Sequence, residues 1–378
     1  MKPVPREGSS CRAASVLQSK SVQRPWRAGQ MKKLRVIQWT TGKVGKYSLR
    51  AILDDPRLEL VGVYAYSTDK VGRDAGELCG RANCGIRATS DIDALIALRA
   101  DSVVYTPLHP DVSELTQLLA SGADVISTAL FGREGALEGA IAQQLEDACA
   151  RGGSSMYITG VNPGWVNSMA VALTATCRRV DRVTISESAD CSHYASLETW
   201  LAHGISSPAS TPATVENTRK SLLPFADTIR RMAQALEIQL DEVRFQAEHA
   251  TAAHALDLGW LRIEKDTIAA VRATWSGIAS GCTVLATNIT WFMTRDLNAD
   301  WRFNDEKVHD HYHIRIDGDP NVEARVRFVP PATWVPTDWS TITALPAVSS
   351  IPTVHAARPG LLSLRDVGLP HAPVGVWR

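Results

Sequence analysis

Leu34-Arg35-Val36-Ile37-Gln38-Trp39-Thr40-Thr41-Gly42-Lys43-Val44-Gly45 is the stretch that decides the fold of this chain. Leu34 to Trp39 reads as a buried strand. A turn containing two glycines follows, then Leu49, Ile52 and Leu53 at helical spacing. Leu58 to Tyr66, rich in Val and Leu, is a second strand. Strand, glycine turn, helix and strand make a βαβ unit, whose two strands run parallel. The turn is a degraded form of the G-x-G-x-x-G dinucleotide fingerprint. Thr40 stands at the first glycine position. Gly42 lets the backbone approach a pyrophosphate, and Gly45 lets the helix sit close to the strand. Thr40, Thr41, Gly42, Lys43, Val44 and Gly45 are therefore candidate cofactor-binding residues, with the pyrophosphate on the free N–H groups of the helix start.

An acidic residue about 20 positions past the motif binds the ribose hydroxyls and favours NAD. Here that place holds Ala65, Tyr66 and Ser67, and the nearest acid is Asp69. Ser67, Lys70 and Arg73 are candidates to receive a 2′-phosphate, so NADP or NAD is expected.

Working outward, strands and helices alternate. Strands are read at Ser102–Tyr105, Val125–Thr128 and Met156–Thr159, and helices at Ile92–Leu98, Val112–Leu119 and Leu137–Ala150. The pattern changes near residue 165. A strand at Val183–Ser188 and a polar helix over Thr214–Leu236 precede long β-type segments at Val243–His254, Gly259–Trp275, Thr283–Phe292, His309–Ile316 and Val322–Phe328. The expected fold is α/β: a Rossmann doubly wound parallel sheet with a second α+β domain built on a mainly antiparallel sheet. The expected divisions are a disordered or non-native extension (1–30), a Rossmann domain (31–165), a substrate and dimerisation domain (166–330) and a proline-rich C-terminal segment (331–378). That last segment is read as one short helix plus extended chain packing back on the Rossmann domain.

The 378 residues carry 40 Lys+Arg against 40 Asp+Glu, which gives no electrostatic reason to expect nucleic acid or an anionic membrane as partner. No apolar run reaches 18 residues, and the basic start has no apolar core of a secretion signal. Seven scattered cysteines without a CxxC pair suit reduced thiols in a cytoplasmic protein. His309, His311 and His313 fall on one strand face, but alternate residues there are about 7 Å apart, so no metal site is expected.

The stretch Val36–Gly45, with Leu60-Val61-Gly62-Val63, Val71-Gly72-Arg73-Asp74-Ala75-Gly76-Glu77 and Gly160-Val161-Asn162-Pro163-Gly164, resembles the dihydrodipicolinate reductase-like proteins of actinobacteria. These are similar to 2,4-diaminopentanoate dehydrogenase and the native amine dehydrogenases. The resemblance spans roughly residues 33–378. It implies a second α/β domain, a homodimer, and reversible reductive amination of a carbonyl with NAD(P)H. Dihydrodipicolinate reductase itself has a His-His pair and a Lys–Asp–Ala–Pro–Ser–Gly-type segment in its second domain. Here the comparable place reads Asp190-Cys191-Ser192-His193-Tyr194-Ala195, so that activity is not expected. The resemblance also implies an essential glutamate just after the fourth strand, where Asp111 or Glu114 would stand in.

Hydride chemistry on an alcohol or amine needs a proton acceptor beyond the carboxyl ends of the strands. His109, with Asp111 and Glu114, lies in such a loop, as does Thr106. Asn162 is placed to bond the nicotinamide carboxamide or the substrate. Glu187, Asp190 and His193 form a polar cluster after a strand and are candidate substrate contacts. Three functions compete: a dehydrogenase or reductase acting on a carbonyl, imine or amine of a small, partly hydrophobic molecule; a cofactor-binding paralogue or sensor without turnover; and a reductase of a different ketone class.

Overall fold

The structure, a computed structural model, describes residues 32–129, 139–208, 210–301, 303, 311–329, 331–332 and 339–372. The N-terminal extension expected over residues 1–30 lies outside them. The first sheet is built from β1 (Leu34–Trp39), β2 (Leu58–Tyr64), β3 (Ala88–Thr89), β4 (Ser102–Tyr105), β5 (Asp124–Ser127) and β6 (Ser155–Ile158). Their connections are α1 (Lys43–Asp54), α2 (Ala75–Leu78), α3 (Ile92–Ala97), α4 (Val112–Ala120) and α5 (Gly139–Gly152). β4, β5 and β6 are buried at every residue, as strands covered on both faces must be. Asp74, Asp91 and Asp111 cap α2, α3 and α4 by accepting backbone N–H bonds.

After a turn at residues 161–165 come α6 (Val166–Thr174), β7 (Arg179–Asp190), α7 (Leu197–Ala202), α8 (Pro212–Ser221) and α9 (Leu223–Ala235). Then follow β8 (Glu242–Thr251), the short pair β9 (Leu256–Asp257) and β10 (Arg262–Ile263), β11 (Ile268–Ala279), β12 (Cys282–Phe292), β13 (Tyr312–Asp319) and β14 (Val322–Val326). The chain ends its described course with α10 (Ser340–His355), β15 (Gly360–Leu361) and α11 (Leu364–Val367).

The first sheet is seven-stranded, parallel throughout, in the order β15-β6-β5-β4-β1-β2-β3. The order reverses between β1 and β4, which opens the crevice where doubly wound sheets bind ligands. One face carries α1 and α10 over Val36, Val63, Val104 and Ile126. The other carries α3, α4 and α5 over Ile37, Val103, Val125 and Met156. The second sheet has six strands, β14-β13-β7-β12-β11-β8, and only β7 and β12 run parallel. Its apolar face, with Val183, Ile185, Trp275, Ile289 and Ile314, packs on α6 and α9.

Three expected segments differ. The single helix over Thr214–Leu236 is two, because Pro224 lacks the N–H needed to continue α8 and instead sits in the first turn of α9. Far from being polar all round, α9 buries Phe225, Ile229 and Met232. The long strand over Gly259–Trp275 is broken by a turn in which Asp266 adopts φ +64°, leaving β10 short and starting β11 at Ile268. The short helix of the proline-rich tail is a 16-residue helix, α10, with Pro346 and Pro352 inside it. Proline in a helix costs about 3 kcal/mol. Burial of Ala347, Val348, Ile351 and Val354 between α1 and the sheet offsets that cost. Of the three strand histidines, His309 lies outside the described residues and His311 precedes β13. Among the described residues no group of metal-ligating side chains gathers.

Ile351→Ala should lower the unfolding free energy by about 2–5 kcal/mol, because Ile351 is fully buried against α1. Urea denaturation followed by circular dichroism reads this. A loss below about 0.5 kcal/mol, the range of a surface change, would remove α10 from the core.

Candidate functional site

Each central strand of the parallel sheet ends on a threonine. Thr40, Thr106, Thr128 and Thr159 extend the ladder one residue beyond β1, β4, β5 and β6, donating their N–H to Tyr64, Trp39, Tyr105 and Ser127 carbonyls at 2.9–3.1 Å. This rim is where the glycine turn begins. Thr40 takes φ +72°, a left-handed backbone that a glycine adopts freely and a β-branched residue does not. That is the physical content of the missing first glycine. The strain is held by three contacts. Gln38 Nε2 donates to the Thr40 carbonyl at 3.0 Å, the Thr40 and Thr106 hydroxyls meet at 3.1 Å, and Thr106 Oγ1 donates to the Trp39 carbonyl at 2.9 Å. Thr106, expected on the cofactor, is thus a brace beneath the turn.

The turn suits a pyrophosphate. Among the described residues nothing lies within 4 Å of where a Gly42 Cβ would stand, whereas a Cβ on Gly45 would stand 2.3 Å from the Thr40 carbonyl oxygen. α1 begins with no side-chain cap and no acid in its first turn, so its orphan N–H groups and dipole face outward. The Thr41 hydroxyl is buried without a partner among the described residues. Thr41, Gly42, Lys43, Val44 and Gly45 can together hold a dinucleotide. Lys43 places its ammonium 5.0 Å over the Tyr194 ring, so the turn touches the segment after β7.

Past β2, Ser67 hydrogen-bonds Asp69, and Arg73 pairs with Glu77 at 2.7 Å. Two of the three groups expected on a 2′-phosphate are thereby engaged within their own loop, and Lys70 stands half-buried beside them.

The expected catalytic group is dispersed. His109 is exposed on its loop. Asp111 is spent as the α4 cap, accepting from the Ser113 and Glu114 N–H groups at 2.8 and 3.0 Å. Glu114 points into the protein. Its carboxylate accepts Trp39 Nε1–H at 3.0 Å, Tyr105 O–H at 2.8 Å and Tyr66 O–H at 2.8–2.9 Å. Trp39 stacks on Tyr64 at 4.1 Å, and Tyr66 meets Tyr64 edge-on at 4.8 Å. Burial, joined by the bonds to Glu114, raises both the Tyr66 and Tyr105 hydroxyls well above the usual phenol range, so they remain donors. Tyr66 is 53% exposed and follows β2, where the ribose of a dinucleotide would lie.

A different carboxylate occupies the junction of the two sheets. Glu187, on β7, faces the apolar side and is buried. Trp291 Nε1–H donates to Oε1 at 2.7 Å, Asn162 Nδ2–H donates to Oε2 at 2.6 Å, and Tyr312 adds a third bond. Burial pushes the Glu187 carboxyl above its ordinary range, while the three donors pull the other way. Asn162 Oδ1 is buried without a partner among the described residues. Aromatic side chains surround this centre. Trp165 lies 6.4 Å from Phe328, His311 packs 5.5 Å from Phe328 and 4.9 Å from Trp339, and Trp291 meets Trp200 at 5.8 Å. The structure thus brings together Asn162 and Glu187. It does not bring in Asp190, which is exposed and bonds Ser192, or His193, which is exposed. Trp291 and Tyr312 were invisible in the sequence as partners of Glu187. Tyr312 stands opposite Glu187 in the β13–β7 register, and Trp291 belongs to the strand on the other side of β7. Long-range pairing of that kind leaves no local signal.

Residues 165–378 match the 2,4-diaminopentanoate dehydrogenase C-terminal domain family. An amine dehydrogenase of Streptomyces virginiae is 27% identical over 353 residues, covering 89% of this chain and 96% of that protein. A 4-hydroxy-tetrahydrodipicolinate reductase of Synechococcus elongatus is 29% identical over 159 residues, 40% of this chain and 56% of the relative. In fold, the chain is similar to an amine dehydrogenase from Mycobacterium smegmatis, with a TM-score of 0.69 and 18% identity over 90% of this chain and 98% of that one. It is also similar to the WlbA dehydrogenase from Bordetella pertussis, at 0.52 and 15% over 90% and 92%.

Thr40→Gly should raise stability by roughly 1 kcal/mol by removing the left-handed strain, read from the denaturation midpoint. A loss of stability would mean that the Thr40 hydroxyl contact outweighs the backbone term. Glu114→Gln should cost about 1–3 kcal/mol of stability and weaken dinucleotide binding, since three donors then share one remaining acceptor. Were Glu114 instead the proton acceptor, the variant would keep its stability and lose turnover alone.

Proposed function

The chain belongs to the family of the 2,4-diaminopentanoate dehydrogenase C-terminal domain, and from that premise we propose that it is an amine dehydrogenase. It is an NAD(P)-dependent oxidoreductase, and in this reading it interconverts a small, partly hydrophobic amine and the corresponding carbonyl compound. The observation that carries the reading is the Glu187–Asn162 centre. A buried carboxylate and a buried, unpartnered amide oxygen side by side, set among aromatic rings, suit a group that offers N–H donors and positive charge. A ketone or alcohol offers neither in the same measure.

When bound, the nicotinamide dinucleotide supplies the acceptor, or in reverse the donor, of a hydride on the amine-bearing carbon. Residues 41–45 would hold its pyrophosphate. The work of the remaining residues is electrostatic. Loss of hydride from the carbon that bears the amino group leaves an iminium cation, and the Glu187 carboxylate offsets that charge in a site of low dielectric. Asn162 Oδ1 accepts one iminium N–H. Water then adds to the carbon, its released proton passes to Glu187, and ammonia leaves to give the carbonyl compound. Trp291 and Tyr312 keep the carboxylate aimed, and the rings around them favour an apolar substituent on the substrate.

As a base, Glu187 must be ionised. Burial raises its pKa, so amine oxidation should fall as pH drops through a value above the ordinary carboxylate range, rather than near 4. Glu187→Gln should abolish that acid limb and lower kcat about 100- to 10,000-fold, with dinucleotide affinity retained. Steady-state kinetics across pH check this, and a variant with native kcat would sink the assignment. Carbonyl reduction should also require ammonium. Equal rates with and without it would make the protein a ketone reductase.

A further inference from the structure

A cavity of about 340 Å3 opens where the first sheet ends, between β6, β15 and α9. Arg231 of α9 forms part of its wall. One guanidinium nitrogen donates to the Ile158 carbonyl at 3.1 Å, and the group lies 5.9 Å over the Tyr157 ring. No ion pair joins Arg231 to a carboxylate among the described residues. The acids nearby have other duties. Asp227 pairs with Arg230 at 3.1 Å, and Glu146 accepts the Leu361 N–H. Asp366 accepts from Ser363 beside Arg358. Burial lowers the pKa of this half-buried guanidinium, and the charge of Asp227 offsets only part of that. Gln234 and Arg358 add further N–H donors around the same space.

We propose that this cavity is a second binding site, distinct from the Glu187 centre, that takes a small oxyanion, a carboxylate or a phosphate, on Arg231. Guanidinium geometry matches either group through paired N–H bonds. The site has a route to the first sheet's working edge. Arg231 grips the last residue of β6, four positions before Asn162, and Pro163 lines the cavity. An occupant therefore leans on the turn that carries Asn162.

Thermal unfolding of the full chain, saturated with nicotinamide dinucleotide and held at constant ionic strength, tests this with inorganic phosphate and, separately, succinate. Ligands that bind the folded chain raise Tm with concentration. The native chain should respond to at least one of the two, and the comparison identifies which oxyanion the site prefers. Arg231→Gln should raise the half-saturating concentration about 10-fold or more. Gln234→Glu alters an exposed residue at the cavity wall and leaves the Arg231–Ile158 bond alone, so it tests the site even if Arg231→Gln folds poorly. It should weaken the response likewise, because a carboxylate there repels the ligand. A native chain that responds to neither anion, or the same response in all three proteins, overturns the proposal.

Discussion

The hydrogen bond from Asn162 to Glu187 is the contact on which the arrangement of this molecule turns. It joins the loop leaving the parallel sheet, where Asn162 is half-buried, to the buried Glu187 on a strand of the second sheet. Among the described residues, no arginine or lysine pairs with Glu187. Indole, amide and phenol donors hold it instead. Neutral donors satisfy the oxygens without cancelling the charge, so the site keeps a use for a positive ligand. A salt bridge at the same spot would have tied the two sheets together equally well and left nothing for chemistry.

The parallel sheet was legible because its signals are local. Period, glycine turn and strand spacing in Val36–Gly45 and its successors say which element follows which, and the observed strand order agrees. The place of the defect was legible, since Thr40 stands at a glycine position of the motif, while its left-handed backbone, φ +72°, came only with the structure. The second sheet was read as mainly antiparallel, and it is, apart from the β7–β12 pair. Sequence offers no signal for that pair, because parallel neighbours about 100 residues apart share no turn. The prolines of α10 pointed to a short helix. Local propensity lost there to burial, as it does wherever a segment is covered by the core.

The candidate site was half legible for a similar reason. A sequence tells that Glu114 follows the fourth strand but not which way a residue at the third position of a helix points. α4 turns it inward, onto Trp39, Tyr66 and Tyr105. Glu187 and Asn162 were both recognised as polar residues at strand ends, 25 positions apart. That they meet is a property of two sheets, and no spacing within either one encodes it.

The last strand of the parallel sheet, β15, comes about 200 residues after its neighbour β6, and α10 fills the groove above α1. A ribosome adds about 5–20 residues each second, so the first sheet waits on the order of 10–40 s for its own final pieces. Throughout that interval α1 alone covers that face, and Val104 and Ile126 lack the helix that packs over β4 and β5. The second sheet must be synthesised during this delay. A chain that stops before residue 340 therefore lacks both α10 and β15, and leaves the face they complete covered by α1 alone.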